Sequence, residues 1–177
     1  SMRKLLLNNA SIFQRLDIIE LKQIETNKKF EQVFKALESN KEIPQQGVFF
    51  EGQVFDAYEL ASKIIRSAKN SIALIDNYID ENTITLLAKK STGVKVLLLT
   101  KNETKQLLLD VKKANAQYGN FKLKPFAKSH DRFLIIDGTE VYHLGASLKD
   151  LGKKLFAFSK LNKNSVLNIL NKLEELV

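Results

Sequence analysis

From about residue 48 to residue 160 the chain alternates short apolar runs with segments whose apolar residues recur at helical spacing. This alternation limits the fold more than any other feature of the sequence. It predicts a strand over Val48–Phe50, a helix over Phe55–Ala68 carried by Phe55, Leu60, Ile64 and Ile65, a strand over Ser71–Asp76 and a helix over Glu81–Lys90. A strand over Val94–Thr100, a helix over Glu103–Tyr118 and strands over Phe121–Phe126 and Arg132–Ile136 follow. Asp137-Gly138 is a hairpin turn signal leading to a strand over Glu140–Leu144, with a last strand over Leu155–Phe158 and a closing helix over Ser165–Leu176. Continuous apolar strands need cover on both faces, so the expected class is α/β: a mixed, partly parallel sheet flanked by helices.

Ahead of this lies a stretch from residue 2 to about 40 without Gly or Pro, which reads as one long helix. Leu5, Ile12, Ile19 and Val33 share one heptad register, and Leu16, Phe30 and Leu37 the companion register. Asn9, Gln23 and Thr26 interrupt the seam, and polar residues at such positions can fix register and strand number in a coiled coil. Self-association as a homodimer is the expectation. The alternative is a helix that packs on its own domain, since Ile18, Leu21 and Ile24 widen the apolar stripe. The Pro-containing break over residues 39–47 sets the division: a helical segment over 1–43 and a folded domain over 44–177.

Composition removes several functional classes. The absence of cysteine excludes a disulfide scaffold and any thiolate metal site, and fits a cytoplasmic protein. The longest apolar runs, such as Val96–Leu99, are far shorter than the ~20 residues of a membrane span, and no signal peptide is visible, so no membrane partner is expected. The opening Ser1-Met2 reads as a remnant of cloning, which would make the chain a fragment whose missing N-terminal part carries some of the function. A formal charge of +8 favours polyanionic partners. Lys149, Lys153, Lys154, Lys160 and Lys163 stand against Asp150 alone between Leu144 and Ser165, either a track for a nucleic-acid backbone or a solvated basic face.

The chemistry concentrates in His130-Asp131-Arg132-Phe133-Leu134-Ile135-Ile136-Asp137 and in Gly145-Ala146-Ser147-Leu148-Lys149. Alternation on a strand gives His130 and Arg132 one direction, and the hairpin returns the small Gly145–Ser147 turn beside them. An imidazole, a guanidinium, a hydroxyl and an ammonium then gather around one anion. Arg132 and Lys149 offset a phosphate's charge, Ser147 donates a hydrogen bond, and His130 serves as nucleophile or proton carrier. Asp137 reads as a turn and orienting residue. Asp76 and Asn77, ending a buried strand, are candidates to line the pocket. His143, on the strand face of Gly145, is a further candidate, with a structural hydrogen-bonding role as the alternative.

These residues resemble the phospholipase D superfamily motif of His, any residue, Lys, four residues and Asp, followed by Gly-x-Ser and a nearby Asn. Here Arg132 stands where the Lys belongs, Lys149 where the Asn is usual, and seven residues separate Asp137 from Gly145. The resemblance covers about residues 48–177, and the end of the Ser71–Tyr78 stretch matches the pocket-lining strand end of that family. It implies a phospholipase D-like fold in which two motifs meet at one pocket, one His attacking phosphorus and the other protonating the leaving oxygen, with no metal and no cofactor. A single motif implies a symmetric dimer that pairs His130 with its copy. Arg in place of Lys keeps bidentate phosphate binding but is bulkier and differently hydrated, which puts turnover in question. More narrowly, the runs Gly47–Asp56 and Gly152–Lys160 resemble the C-terminal part of bacterial regulators that carry a KilA-N-type, phage-like DNA-binding domain, which implies DNA as the partner.

Two functions are therefore expected of this chain. One is a metal-independent phosphodiesterase or nuclease acting through a phosphohistidine on His130. The other is a non-catalytic module that holds a phosphate or nucleic acid within a DNA-binding regulator. A domain serving dimerisation alone is a third.

Overall fold

Ile72, Leu74, Val96, Leu98 and Leu134 are each at most 2% exposed, and they form the centre of a seven-stranded mixed sheet. The computed structural model describes residues 1–39 and 42–176, with side chains for 1–33 and 42–175. The strands are β1 (Gln46–Phe49), β2 (Ser71–Ile75), β3 (Lys95–Thr100), β4 (Phe121–Pro125), β5 (Arg132–Ile136), β6 (Glu140–Leu144) and β7 (Phe156–Lys160), in the spatial order β1-β7-β6-β5-β2-β3-β4. β2, β3 and β4 run parallel, with Ile72 beside Val96 and Val96 beside Phe121. β5 joins β2 antiparallel, and β6, β7 and β1 extend that antiparallel half.

Alternation along each strand sorts side chains to two faces. Ile72, Leu74, Leu98, Leu134 and Ile136 enter the larger core, beneath α2 (Val54–Ser67), α3 (Glu81–Leu87) and α4 (Lys105–Gln117). Ile75, Leu99, Ile135 and Val141 form the smaller core, beneath α5 (Lys163–Leu176), which supplies Val166, Ile169, Leu170 and Leu173 at helical spacing. Truncation of the fully buried Leu134 to Ala would cost about 2–5 kcal/mol, because both transfer energy and packing are lost. The α/β class with helices on both faces, expected from the alternation, is the architecture observed.

Helix starts follow local capping. Asp80 accepts from the backbone N–H of Asn82 and Thr83, while the Thr83 hydroxyl reaches back to the Asp80 N–H, so α3 opens with a reciprocal cap. α4 begins at Lys105 rather than Glu103, because the Thr104 hydroxyl caps it through the Leu107 N–H. β7 is longer and shifted relative to the expected strand, since Ser159 and Lys160 pair with Gln46 and Tyr142. The short 3-10 turn Leu148–Asp150 was not foreseen from apolar periodicity, which a three-residue element cannot display.

The chain divides into two compact units, Ser1–Glu42 and Ile43–Val177. The first consists of α1 (Met2–Ser39), 38 residues and hence about 57 Å at 1.5 Å per residue. Its heptad residues Leu5, Ile12, Leu16, Ile19, Phe30 and Val33 are all more than half exposed. Leu37, the next in that series, lies outside the described side chains. Among the described residues no helix is long and apolar enough to cross a membrane.

Candidate functional site

The site is built where β2 ends and β5 begins. Asp76 directly follows β2 and is fully buried. Its Oδ2 accepts from the Ser147 hydroxyl at 2.7 Å and from the Leu148 N–H at 3.1 Å, and its Oδ1 from the Tyr78 N–H at 2.9 Å. Three donors satisfy one buried carboxylate, which fastens the turn after β6 to the end of β2. Asn77 performs a related task on the other side: its Nδ2 donates to the Ser129 carbonyl at 3.0 Å, and its Oδ1 accepts from the Lys101 N–H at 3.2 Å.

Asn77 thus fixes the bend that leads into β5. Within that bend the Ser129 hydroxyl donates to the Asp131 carbonyl at 2.8 Å, spanning His130, whose side chain is exposed. Arg132 opens β5, paired with Leu144 of β6, and is half-buried. It shares a strand face with Leu134 and Ile136 and so emerges at the rim of the larger core. Among the described residues Arg132 has no carboxylate within 4.0 Å.

The return from β6 explains why Gly145 is small. Its N–H donates to the Ala157 carbonyl at 2.8 Å, and a Cβ built there would sit 2.8 Å from that same oxygen. Ser147 is buried beneath this turn, and Leu148 and Leu151 anchor it in the larger core. Between those anchors Lys149 and Asp150 face outward. Asp150 Oδ2 lies 3.6 Å from Lys149 Nζ and its Oδ1 3.0 Å from Lys153 Nζ. Burial pushes the Asp150 carboxyl up, but the Lys153 hydrogen bond and the Lys149 charge outweigh it and hold the group below the usual carboxylate range.

Tyr78, Arg132, Gly145, Ser147, Lys149 and Lys154 are among the residues that line one open cleft of about 570 Å³, together with Asp150, Lys153 and Leu155. Four cations and one carboxylate on a shared wall suit an anion. The Ser147 proton is committed to Asp76, so this hydroxyl supports the wall rather than offering a free donor.

Not every expected residue meets here. His130 is absent from the cleft wall. His143 pairs with Phe133 and Ser159 on the opposite sheet face, its ring tilted against Phe133 and its Nε2 3.6 Å from Asp131 Oδ2. Asp137 stands at the far end of β5 with φ at 52°, accepting from the backbone N–H groups of Lys69, Asn70 and Ser71 at 2.7–3.1 Å. Burial raises its pKa, but those donors and the Lys69 charge leave it below the ordinary value. Asp76 and Asn77 act behind the wall, through Ser147 and the β5 bend. The sequence alone gives Asp150 and Leu155 no place in the site, although an Asp three residues before a Lys is a usable signal for Asp150. Among the described residues no group of three or more His, Asp or Glu side chains is placed to hold a metal ion.

The chain is similar to NucT from Helicobacter pylori, with a TM-score of 0.55 at 15% identity over 73% of this chain and 93% of that one. The fold is phospholipase D-like. Weaker likenesses are TrmBL2, an archaeal chromatin protein (TM-score 0.47, 20% identity, 93% of this chain and 64% of that one), and polyphosphate kinase from Porphyromonas gingivalis (0.47, 16%, 80% and 24%). No family model matches the sequence, and no curated protein matches it. These likenesses are of fold.

Proposed function

We propose that this phospholipase D-like domain recognises phosphodiesters as part of a DNA-associated protein, with the phosphate held on Arg132. The observation that carries this is a half-buried guanidinium without a carboxylate partner among the described residues, set in a cleft with Lys149, Lys153 and Lys154. A guanidinium so placed offers a planar fork to two phosphate oxygens. The exposed heptad seam of α1 supports a homodimer, and a KilA-N-type DNA-binding part preceding α1 would deliver the domain to DNA. Holding a phosphate requires none of the residues that lie off the cleft wall.

A second reading, metal-independent hydrolysis through a phosphohistidine, draws on His130. Its exposed ring sits on a bend fixed by Asn77 and Ser129, open to a second copy of the chain. The test is hydrolysis of a chromogenic phosphodiester in EDTA, run beside fluorescence anisotropy with labelled DNA, on the wild type and on His130→Ala. Binding without turnover is the expected result and assigns a recognition module. Turnover that disappears in His130→Ala establishes the hydrolase instead. Neither binding nor turnover would overturn both readings.

A further inference from the structure

The cleft wall contains an anion of its own. The 3-10 turn sets Lys149 and Asp150 side by side, and the Lys153 N–H donates to the Asp150 carbonyl at 3.1 Å, closing the next turn. Each Asp150 carboxylate oxygen therefore faces a different ammonium, Oδ1 toward Lys153 and Oδ2 toward Lys149. A bound phosphate would place two of its oxygens on two cations in the same manner. Asp150 is ionised at neutral pH, consistent with its lowered pKa.

Resting on the phosphate-recognition reading above, we infer that Asp150 is a built-in counter-anion that the second phosphate of a nucleic-acid strand must displace to reach Lys149 and Lys153. A single phosphate is met by Arg132, while Lys149 and Lys153 stay neutralised by Asp150. A ligand carrying a second phosphate gains those two ammoniums by displacing the Asp150 carboxylate. The Asp150 side chain is 41% exposed, so it can swing into water at small cost. The ligand class is thus a nucleic-acid strand spanning both parts of the wall, and Asp150 sets the threshold for its capture.

The experiment titrates inorganic phosphate and a short oligothymidylate into the wild type, Asp150→Asn and Arg132→Ala, at two salt concentrations. Asp150→Asn should tighten oligothymidylate binding about threefold to tenfold, as expected for removing one like charge from beside a bound phosphate. Its salt dependence should steepen by about one ion released. Inorganic phosphate affinity should change less than about twofold, because its site on Arg132 is untouched. Unchanged oligothymidylate affinity in Asp150→Asn, alongside its loss in Arg132→Ala, would overturn the role of Asp150 and leave the recognition site standing. If Arg132→Ala changed nothing either, the recognition site itself would fail. Asp150→Ala, which keeps the backbone turn but removes the amide, guards against a new contact made by Asn; thermal melts confirm that each variant is folded.

Discussion

β5 carries a charged residue of the motif at each end, and the two have opposite fates. Asp137, just beyond its C-terminal end, accepts from the backbone N–H groups of Lys69, Asn70 and Ser71 and is committed to the turn before β2. Arg132, at its N-terminal end, has no carboxylate partner among the described residues and faces a cleft. The ends are separated by the length of the strand, roughly 16 Å at 3.3 Å per residue, so one phosphate cannot touch both. Residues that occur together in a sequence motif can thus divide into one that holds the fold and one that is left for chemistry. The charge without a carboxylate partner among the described residues is the one on which we propose that phosphate is held.

That division predicts separable effects. Asp137→Ala removes the acceptor of three backbone N–H groups and leaves an alanine in the left-handed region. It should lower unfolding free energy by about 3 kcal/mol in a urea titration, with phosphate affinity of the folded protein unchanged. Its pH signature follows from sign. The folded pKa lies below the ordinary carboxylate value, so the contribution is fully present above that value and is lost as pH falls through the folded pKa. Asp137→Asn, which tolerates the same backbone, should flatten the acid limb of the stability–pH curve. A comparable loss of phosphate binding in either variant would break the contrast between the two ends.

Gly145→Ala should cost about 2 kcal/mol, because the new Cβ would press on the Ala157 carbonyl and force β6 and β7 apart. Since Gly145 also lines the cleft, this variant should weaken phosphate binding as well, placing it between the extremes. Ser147→Ala removes one of the three donors to buried Asp76 and should cost about 1 kcal/mol in the same titration, with only a minor change in affinity. If Ser147→Ala abolished binding while stability held, the hydroxyl would be a ligand group and its commitment to Asp76 would be wrong.

Much of this is legible in the sequence, for a physical reason. The centre of the sheet is specified by side chains that water rejects, and runs such as Ile72–Ile75 and Val96–Leu99 announce it directly. The sequence reading of β5 and β6 matches their observed bounds, because the three-residue turn Asp137-Gly138-Thr139 with its hairpin signal fixes both ends. The wall of the site was less legible. Strand alternation gives Arg132 its direction, but β5 begins at that residue and the chain bends at His130, so alternation does not set the direction of the His130 side chain. His143 has the parity of Gly145, but the chain leaves β6 at Leu144, so a shared parity does not place both on the cleft. The pairing of Asp150 with Lys149 and Lys153 depends on a 3-10 turn, whose three residues carry no periodicity to read.

The smallest stability effect is expected at the residue for which the largest functional one is proposed. Arg132→Ala should leave unfolding free energy within about 0.5 kcal/mol of wild type, because it breaks no ion pair among the described residues. The most direct test of the central claim is the affinity of a labelled single-stranded oligonucleotide for wild type and Arg132→Ala, measured by fluorescence anisotropy at matched salt. At least about a tenfold loss is expected in the variant, as for removal of a guanidinium–phosphate pair worth ~1.4 kcal/mol or more. Equal affinity in the two folded proteins would contradict it, and the cleft beside β5 would not be where this domain meets phosphate.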